Sequence, residues 1–485
     1  MSATLSTVAV ILLVILVVGI SALIDYTVLG HSIADYGDLK TYAASPDPSQ
    51  ARSLAIADAR NNFLLALLTV LLVGLISTTN INVNRFSLHA FYRNRLIRMF
   101  LGASNPKRRP NPFTDFDRDD NLPMHKTWPS RHAWSGDAVA EGQPPPADGS
   151  WRPFHVVNVA LNVTSSDEHL EWQERKACSF TVSPLHCGSA ITGFRDSKTY
   201  GDGISVGTAV AISGAAASPN MGYNSSAPLA FLMALFNVRM GWWLGNPGKS
   251  GEVTHTYDGP RNALIPFLSE ILGMTSDTNR YVYLSDGGHF DNLGLYEMVR
   301  RRCRFIVVSD ATCDADFEFP DIGNAVRKIE IDLGVPIHFH GLSKLKPRYS
   351  PDRLDELLGR QAPPPVSEGS SPPPYHAIGI IDYRAADGPE VRNGIILYIK
   401  PGYHGTESSA AIRSYALANP DFPHESTADQ WFGESQMESY RALGFEIVDG
   451  LLRQAQDLKG KPDLSLEELL TVLEARATSA NVSRA

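Results

Sequence analysis

Cysteine is scarce in this sequence, with four residues among 485, at positions 178, 187, 303 and 313. So few cysteines exclude a disulfide framework, and the absence of a Cys-x-x-Cys pair argues against a paired-cysteine zinc site. We interpret the four as free thiols in a reducing compartment. An excess of positive charge is lacking too, because the net charge is −9, and this argues against a nucleic-acid-binding protein.

Motifs for nucleotide and metal binding are also missing. No P-loop or dinucleotide-binding fingerprint occurs, since Gly201 and Gly203 precede no phosphate-binding helix. His338 and His340 would share one face of a strand, but no third ligand stands at a recognisable spacing. We therefore predict no metal and no cofactor.

Charge is absent from two long stretches, residues 1–24 and 61–84, which consist largely of Val, Ile, Leu and Gly. Because about 20 apolar residues cross a bilayer, they predict a two-helix transmembrane hairpin over residues 1–84. A signal peptide competes for the first stretch, and a buried core hairpin is the other alternative.

The charges that flank these stretches predict an orientation. Seven Lys and Arg residues and no acid lie between positions 85 and 109, whereas the loop 25–60 holds five Asp against three basic residues. The positive-inside rule then places the chain from residue 85 onward in the cytoplasm, as the main part of a two-span membrane protein. The basic stretch either binds anionic headgroups or acts only as this topology signal.

The remainder predicts an α/β domain. We expect a basic juxtamembrane segment with a Pro-rich linker at 85–150, a main domain at 151–475 and a disordered tail at 476–485. Strand and helix signals alternate, which favours a layered domain with a largely parallel sheet. The predicted strands are 154–163, 281–285, 304–309, 376–383 and 395–399, and the predicted helices are 205–217, 229–239, 293–302, 428–443 and 464–475.

The most informative stretch is residues 281–311, YVYLSDGGHFDNLGLYEMVRRRCRFIVVSDA. It predicts a strand–helix–strand unit with a right-handed crossover, and Asp286 ends its first strand, where ligands gather in parallel sheets. Two glycines follow, so another backbone or a substrate can approach closely there. Asp291 or Asn292 would cap the next helix. An ordinary turn or capping role for Asp286 stays open, and Asp310 ends the next strand in the same way.

This stretch resembles the segment around the catalytic Asp of patatin-like and cytosolic phospholipases A. In that family an Asp followed by Gly-Gly ends a strand, an Asn opens the next helix, and a basic helix end leads to an apolar strand. Residues 207–223, GTAVAISGAAASPNMGY, are similar to a family helix that ends in a small-residue turn beside the active site.

The resemblance implies a three-layer α/β/α domain, incomplete at its N-terminal side, and a Ser–Asp dyad that needs no cofactor. Asp286 would be the general base, while Gly287, Gly288, His289 and Asn292 would line the substrate site. The implied substrate is a membrane phospholipid or another ester lipid.

The nucleophile half of this machinery is not recognisable. No Gly-Gly dipeptide that could form the oxyanion loop precedes Gly287, and the one GxSxG motif, with Ser205 at its centre, follows the polar run RDSKTYGD instead of an apolar strand. Ser205 is therefore either the nucleophile or a helix N-cap. Ser213 and Ser189 have even less elbow context, and a Ser-His-Asp triad through His289 is a further alternative.

Two interpretations remain. The nucleophile half is missing or lies on another polypeptide encoded upstream, or the chain is a catalytically inactive membrane scaffold with a degenerate patatin-like fold. In either case we expect an unpaired strand edge or a crevice where the missing half would dock. The apolar residues 231–244 predict core packing, with an acyl-chain channel or a membrane-facing patch as the alternative.

Overall fold

The structure is a computed structural model that describes residues 11, 14–15, 17–24, 48–128, 153–165, 172–346, 374–405, 407–426 and 432–482. The chain divides into two compact units, Met1–Phe290 and Asp291–Ala485. The predicted main domain 151–475 is thus divided directly after the Asp-Gly-Gly turn, because each side of this boundary has a hydrophobic core of its own.

The two units differ in their elements. Apart from one four-residue helix at Trp172–Arg175, the α-helices of the first unit are α1 (Pro48–Asn80), α2 (Leu88–Leu96), α3 (Val206–Ser213), α4 (Ala227–Leu235) and α5 (Leu264–Ile271). Its strands are β1 (Val157–Asn162), β2 (Ala177–Val182), β3 (His186–Ser189), β4 (Gly193–Asp196), β5 (Trp242–Gly245) and β6 (Tyr281–Ser285). The second unit holds α6 (Leu295–Arg300), β7 (Phe305–Ser309), α7 (Pro320–Leu333), β8 (Ile337–His340), β9 (His376–Ile381), α8 (Tyr383–Asp387), β10 (Gly394–Ile399), α9 (Ala410–Ala418), α10 (Glu434–Lys459) and α11 (Leu466–Val482).

One helix of the described residues could cross a membrane by its length and composition, namely the Arg60–Asn80 part of α1. Its apolar side chains are exposed, and polar groups bond within the helix, as when the Thr69 hydroxyl donates to the Leu65 carbonyl at 2.8 Å. Internal satisfaction of this kind is what a lipid environment demands. The first predicted span lies largely outside the described residues, so the two-helix hairpin stays a prediction.

The first unit contains a six-stranded sheet in the order β4-β3-β2-β1-β6-β5, with every neighbouring pair antiparallel. The prediction of a largely parallel sheet is therefore wrong for this unit. Strand β6 lies between β1 and β5, so both of its edges are occupied, and β7 belongs to another sheet. The predicted crossover between β6 and β7 within one sheet is likewise wrong.

The residues before β1 belong to the body of the first unit. Met124 is completely buried in the main core, and its backbone N–H donates to the Ile204 carbonyl at 2.8 Å. The predicted linker is therefore wrong for residues 120–124, because Asp120 and Met124 are buried, whereas residues 111–115 are exposed. Residues 129–152 lie outside the described part of the chain.

The second unit contains a four-stranded sheet in the order β7-β10-β9-β8. Strands β7 and β10 are parallel, whereas β9 is antiparallel to both of its neighbours. Helices α9, α10 and α11 contribute the apolar core on one face. Leu470 and Leu473 of α11 are buried in this core, and the helix continues to Val482. The prediction of a disordered tail is therefore wrong for residues 476–482. Residues 483–485 lie outside the described residues.

Candidate active site at the Asp-Gly-Gly turn

The Asp-Gly-Gly motif forms a tight turn at the end of a central strand. β6 ends at Ser285, and a single 3-10 turn follows at Gly287–His289 with Asp286 as its N-cap. Asp286 Oδ1 accepts a hydrogen bond from the Gly288 backbone N–H at 2.7 Å. One carboxylate oxygen thus braces the turn, which is the capping role left open by the sequence.

The Asp286 carboxylate has the protonation behaviour of a weak base. The side chain is half-buried, and burial raises its pKa from 3.8 to about 6, although the Gly288 N–H acts in the opposite direction. No Lys or Arg forms an ion pair with it among the residues that the structure describes. At neutral pH the group is therefore ionised and able to accept a proton.

Gly287 shows why the motif needs a residue without a side chain. A Cβ at this position would lie 2.7 Å from the Asn158 carbonyl oxygen and 3.6 Å from Ser213 Oγ. The close backbone approach expected for this turn is therefore present, and the partner is β1 together with the end of α3. The neighbouring Gly288 is exposed.

Ser205 is the N-cap of α3. Its Oγ accepts from the Thr208 backbone N–H at 3.2 Å and from Asn121 Nδ2 at 2.9 Å, and its hydroxyl donates to Thr208 Oγ1 at 2.9 Å. Eight residues of helix separate it from Ser213, a rise of about 12 Å. Because α3 meets the Asp-Gly-Gly turn at its Ser213 end, the structure does not bring Ser205 to Asp286. The capping alternative describes its observed role.

Two other hydroxyl groups lie at the turn. The half-buried Ser213 donates its Oγ hydrogen to the Asn158 carbonyl at 2.7 Å. Tyr92 reaches in from α2, with its hydroxyl 2.5 Å from where a Cβ of Gly214 would be. Burial raises the pKa of Tyr92, and the charge of Asp286 raises it further. Sequence reasoning ranked Ser213 low and missed Tyr92, since nothing in the sequence shows where α2 packs.

His289 fixes the far side of the turn. Its Nδ1 lies 2.8 Å from Ser285 Oγ, which accepts from Asn162 Nδ2 at 2.7 Å. Burial lowers the pKa of His289 to about 4, and its ring also hydrogen-bonds the backbone of Ala216, so the imidazole is neutral at physiological pH. Ser285 is completely buried and therefore offers no nucleophile to a substrate. The Ser–His pair holds the loop after α3 in place through the hydrogen bond of His289 to Ala216.

Asn292 belongs to the second unit, where it is exposed. The adjacent Asp291 accepts two backbone hydrogen bonds, with Oδ2 accepting from the Tyr296 N–H at 2.8 Å and Oδ1 from the Leu293 N–H at 3.1 Å. The N-cap residue of α6 is Gly294, so neither Asp291 nor Asn292 occupies the cap position, although Asp291 bonds an N–H in the first turn of the helix. The substrate contact expected of Asn292 stays a prediction.

Asp310, the carboxylate that position alone could not distinguish from Asp286, has a different environment. Its Oδ1 accepts from Lys400 Nζ at 3.1 Å and from the Thr312 hydroxyl at 2.6 Å, while Oδ2 accepts from the Tyr398 hydroxyl at 2.5 Å. Burial alone would raise the pKa of Asp310, but these donors outweigh it and lower the pKa. Both oxygens are committed inside a closed network, so Asp310 is structural.

Compared with protein-family models, curated proteins and solved structures, the chain matches none. The site is therefore defined by its own geometry and by the motif. Among the described residues, no group of three or more His, Cys, Asp and Glu side chains is arranged to hold a metal ion. The chemistry that the turn supports is proton transfer by Asp286 beside backbone N–H groups and the hydroxyls of Ser213 and Tyr92.

Proposed function

We propose that this chain is the base-carrying part of a patatin-like lipid acyl hydrolase that acts on phospholipids or other ester lipids at the cytoplasmic face of a membrane. The observation that carries the proposal is the state of Asp286. Its carboxylate is half-buried, has its pKa raised to about 6, and uses one oxygen to accept from Gly288. A general base works best when its pKa lies near the operating pH.

The reaction would follow the Ser–Asp dyad. Asp286 accepts the hydroxyl proton as the serine Oγ attacks the ester carbonyl carbon, which gives a tetrahedral oxyanion. Collapse of this intermediate expels the alcohol, which takes the proton back from Asp286 and leaves an acyl-enzyme. Water then attacks the acyl carbon and transfers a proton to Asp286. The second tetrahedral intermediate collapses, the serine Oγ takes that proton back from Asp286, and the fatty acid is released.

The described residues do not bring an available nucleophilic serine to Asp286. Ser205 is engaged as a helix cap, and Ser213 donates to a backbone carbonyl. In the proposal the serine comes from another polypeptide or segment, which completes the three-layer α/β/α domain. Among the described residues, β7 ends the sheet of the second unit and so has one strand edge without a neighbouring strand. Outer strands of this kind accept additional strands readily.

The membrane location rests on α1 and the residues after it. Residues Arg60–Asn80 are long and apolar enough to cross a bilayer. Directly beyond them, α2 has no acidic residue in its first turn and carries Arg93 and Arg95 in its last. This charge pattern supports a cytoplasmic position for both units.

A fluorophosphonate probe, which reacts with activated serines, tests the function. The full chain is labelled in membranes, alone and together with the polypeptide encoded directly upstream. We expect a labelled serine and phospholipid hydrolysis only in the combined sample, both abolished by Asp286→Asn and unaffected by Ser205→Ala.

Three results would contradict the proposal in different ways. Labelling of the chain alone that disappears in Ser205→Ala would overturn the capping assignment. Labelling and hydrolysis that persist in Asp286→Asn would remove Asp286 from the base role. Neither labelling nor hydrolysis in any sample would favour the inactive membrane scaffold.

A further inference from the structure

The last turn of α1 is firmly attached to the rest of the first unit. The Ala263 backbone N–H, directly before α5, donates to the Thr78 carbonyl of α1 at 2.9 Å. The buried Asn84 then forms two 2.8 Å hydrogen bonds with Trp243, accepting from its N–H and donating to its carbonyl. The end of α1 therefore has a fixed position relative to α5 and β5.

Large apolar side chains are exposed on the elements that surround this attachment. Ile265 on α5 is 71% exposed, and Leu272 directly after α5 is 62% exposed. Helices α4 and α5 pack on one another, and Asn237 after α4 donates to the Phe86 carbonyl at 2.6 Å. The exposed set, here called the apolar foot, is Phe86, Leu88, Phe91, Leu235, Phe236, Leu264, Ile265, Leu268, Leu272 and Met274.

The apolar foot is attached to the last turn of α1, whose Arg60–Asn80 part is long and apolar enough to cross a membrane. The large apolar side chains of α1 between residues 63 and 76 are exposed, and Phe86, the first residue of the foot, follows six positions after α1 ends. Each Å² of apolar surface removed from water is worth about 25 cal/mol, so burial of the foot in an apolar layer is favourable. A bilayer covers α1 and the foot together, so no separate protein partner is needed to cover the foot.

Cationic side chains border the apolar foot, as expected at the headgroup level. Arg85, Arg261 and Arg280 are exposed, although Arg85 is paired with Asp258 at 2.8 Å, and the Arg95 guanidinium lies 5.7 Å from the ring centre of Phe91. Arg261 is held over the ring of Tyr257 at 4.6 Å. Amphipathic side chains of this kind keep their stems in the apolar layer and their charges among anionic headgroups.

We propose that the apolar foot inserts into the cytoplasmic leaflet beside α1, so that the first unit rests on the bilayer in one fixed orientation. This rests on the proposed membrane location of the chain. Helix α2 then connects the bilayer to the active site through neighbouring residues. Phe91 is 61% exposed in the foot, whereas Tyr92 turns inward to Gly214 near Asp286. Lipid contact and the geometry of the site share one helix.

Site-specific fluorescence in liposomes tests the insertion. The full chain, with Cys303 and Cys313 replaced by Ser and the buried Cys178 and Cys187 kept, receives one added cysteine that carries an environment-sensitive dye. It is reconstituted into phosphatidylcholine vesicles that contain phosphatidylglycerol. The test positions are Ile265→Cys and Leu272→Cys, and Leu68→Cys in α1 reports the span. Phe194→Cys is the matched control, because β4 lies at the opposite sheet edge from β5, ~24 Å away over five strand spacings.

We expect blue-shifted emission and strong quenching by acyl-chain-linked nitroxides at positions 68, 265 and 272, and quenching by aqueous iodide instead at position 194. If position 68 is lipid-quenched while 265 and 272 are quenched by iodide, the inference is wrong and the span stands. If 265 and 272 are protected from both quenchers, another protein surface covers the foot and the inference is also wrong. If position 68 itself is not lipid-quenched, the proposed membrane location is wrong, and the inference that rests on it is wrong too. Hydrolysis is tested separately by the fluorophosphonate labelling of the Asp286→Asn variant.

Discussion

Gly287 lies against the carbonyl oxygen of Asn158, so close that a Cβ on the glycine would be 2.7 Å from that oxygen. Asn158 belongs to β1, the neighbour of β6, and the contact therefore fixes the backbone directly after Asp286 to the sheet. The position of the carboxylate depends on this contact as much as on the strand that precedes it.

Replacement of Gly287 by Ala should displace the turn. An added Cβ at 2.7 Å from a backbone oxygen must move one of the two segments, and such overpacking typically costs about 1–3 kcal/mol. We expect the free energy of unfolding to fall by that amount in urea titrations followed by far-UV circular dichroism, which reports on both units. Gly323→Ala in α7 is the control, since nothing lies within 4 Å of its Cβ position, and it should be neutral or slightly stabilising. Equal stability of Gly287→Ala and the native chain would contradict the contact.

Replacement of Asp286 by Asn should stabilise the protein at neutral pH. The folded-state pKa of Asp286 is about 6, above its ordinary value of 3.8, so the folded chain holds an extra proton between those values. The free energy of unfolding therefore decreases as the pH rises through that window, and is level above about pH 6. The isosteric amide removes this cost, and we expect a gain of about 1–3 kcal/mol at pH 8.

The measurement is thermal unfolding of both proteins from pH 4 to pH 8. The gain should be small at pH 4, where the folded carboxyl is protonated and the unfolded one, with its pKa of 3.8, is about half protonated, and it should grow to a plateau above pH 6. A gain that is the same at every pH would show that Asp286 is not held at a raised pKa. The pH profile of hydrolysis in the combined sample should fall below about pH 6 for the same reason.

Ser205→Ala should cost stability and leave the chemistry unchanged. Ser205 caps α3 by accepting from the Thr208 N–H, and loss of an N-cap typically costs about 1 kcal/mol. Ser205→Asp should retain most of that stability because a carboxylate also caps. Probe labelling should be the same in all three proteins, and a loss of labelling in both variants would return Ser205 to the nucleophile role.

Local patterns predicted the elements of the site well. Residues 281–285 form a strand as expected, because an apolar run is followed at once by Asp-Gly-Gly, and β10 begins one residue before its predicted bound. An apolar run and the turn residues that follow it are each properties of a few neighbouring residues. The Ser205 cap was likewise one of two roles that the sequence allowed.

The pairing of strands was beyond the sequence. Strands β6 and β7 are separated by one short helix, which predicted a parallel pair, yet β6 has β1 and β5 as its neighbours. That choice depends on contacts between residues more than a hundred positions apart, such as Ala160 with Ser285. The position of Tyr92 has the same origin, since only the packing of α2 on α3 brings it to the turn.

The last prediction concerns the carboxylate that the structure assigns to stability, Asp310. Lys400 and Asp310 are 0% and 1% exposed in their side chains, and Lys400→Met leaves the Asp310 charge buried without its cation. Removal of one partner from a buried pair typically costs about 3–5 kcal/mol, whereas Arg441→Met, which breaks the exposed pair with Glu438, should cost less than about 1 kcal/mol.

The pKa of Asp310 is lowered in the folded state, so its contribution is present at neutral pH and is lost as the pH falls through the folded-state pKa. Urea unfolding at neutral and acidic pH should therefore show a large difference between Lys400→Met and the native chain at pH 7 that shrinks towards acid. If the two lysine and arginine variants lose the same small amount at pH 7, the network around Asp310 is not structural, and the distinction from Asp286 loses its basis.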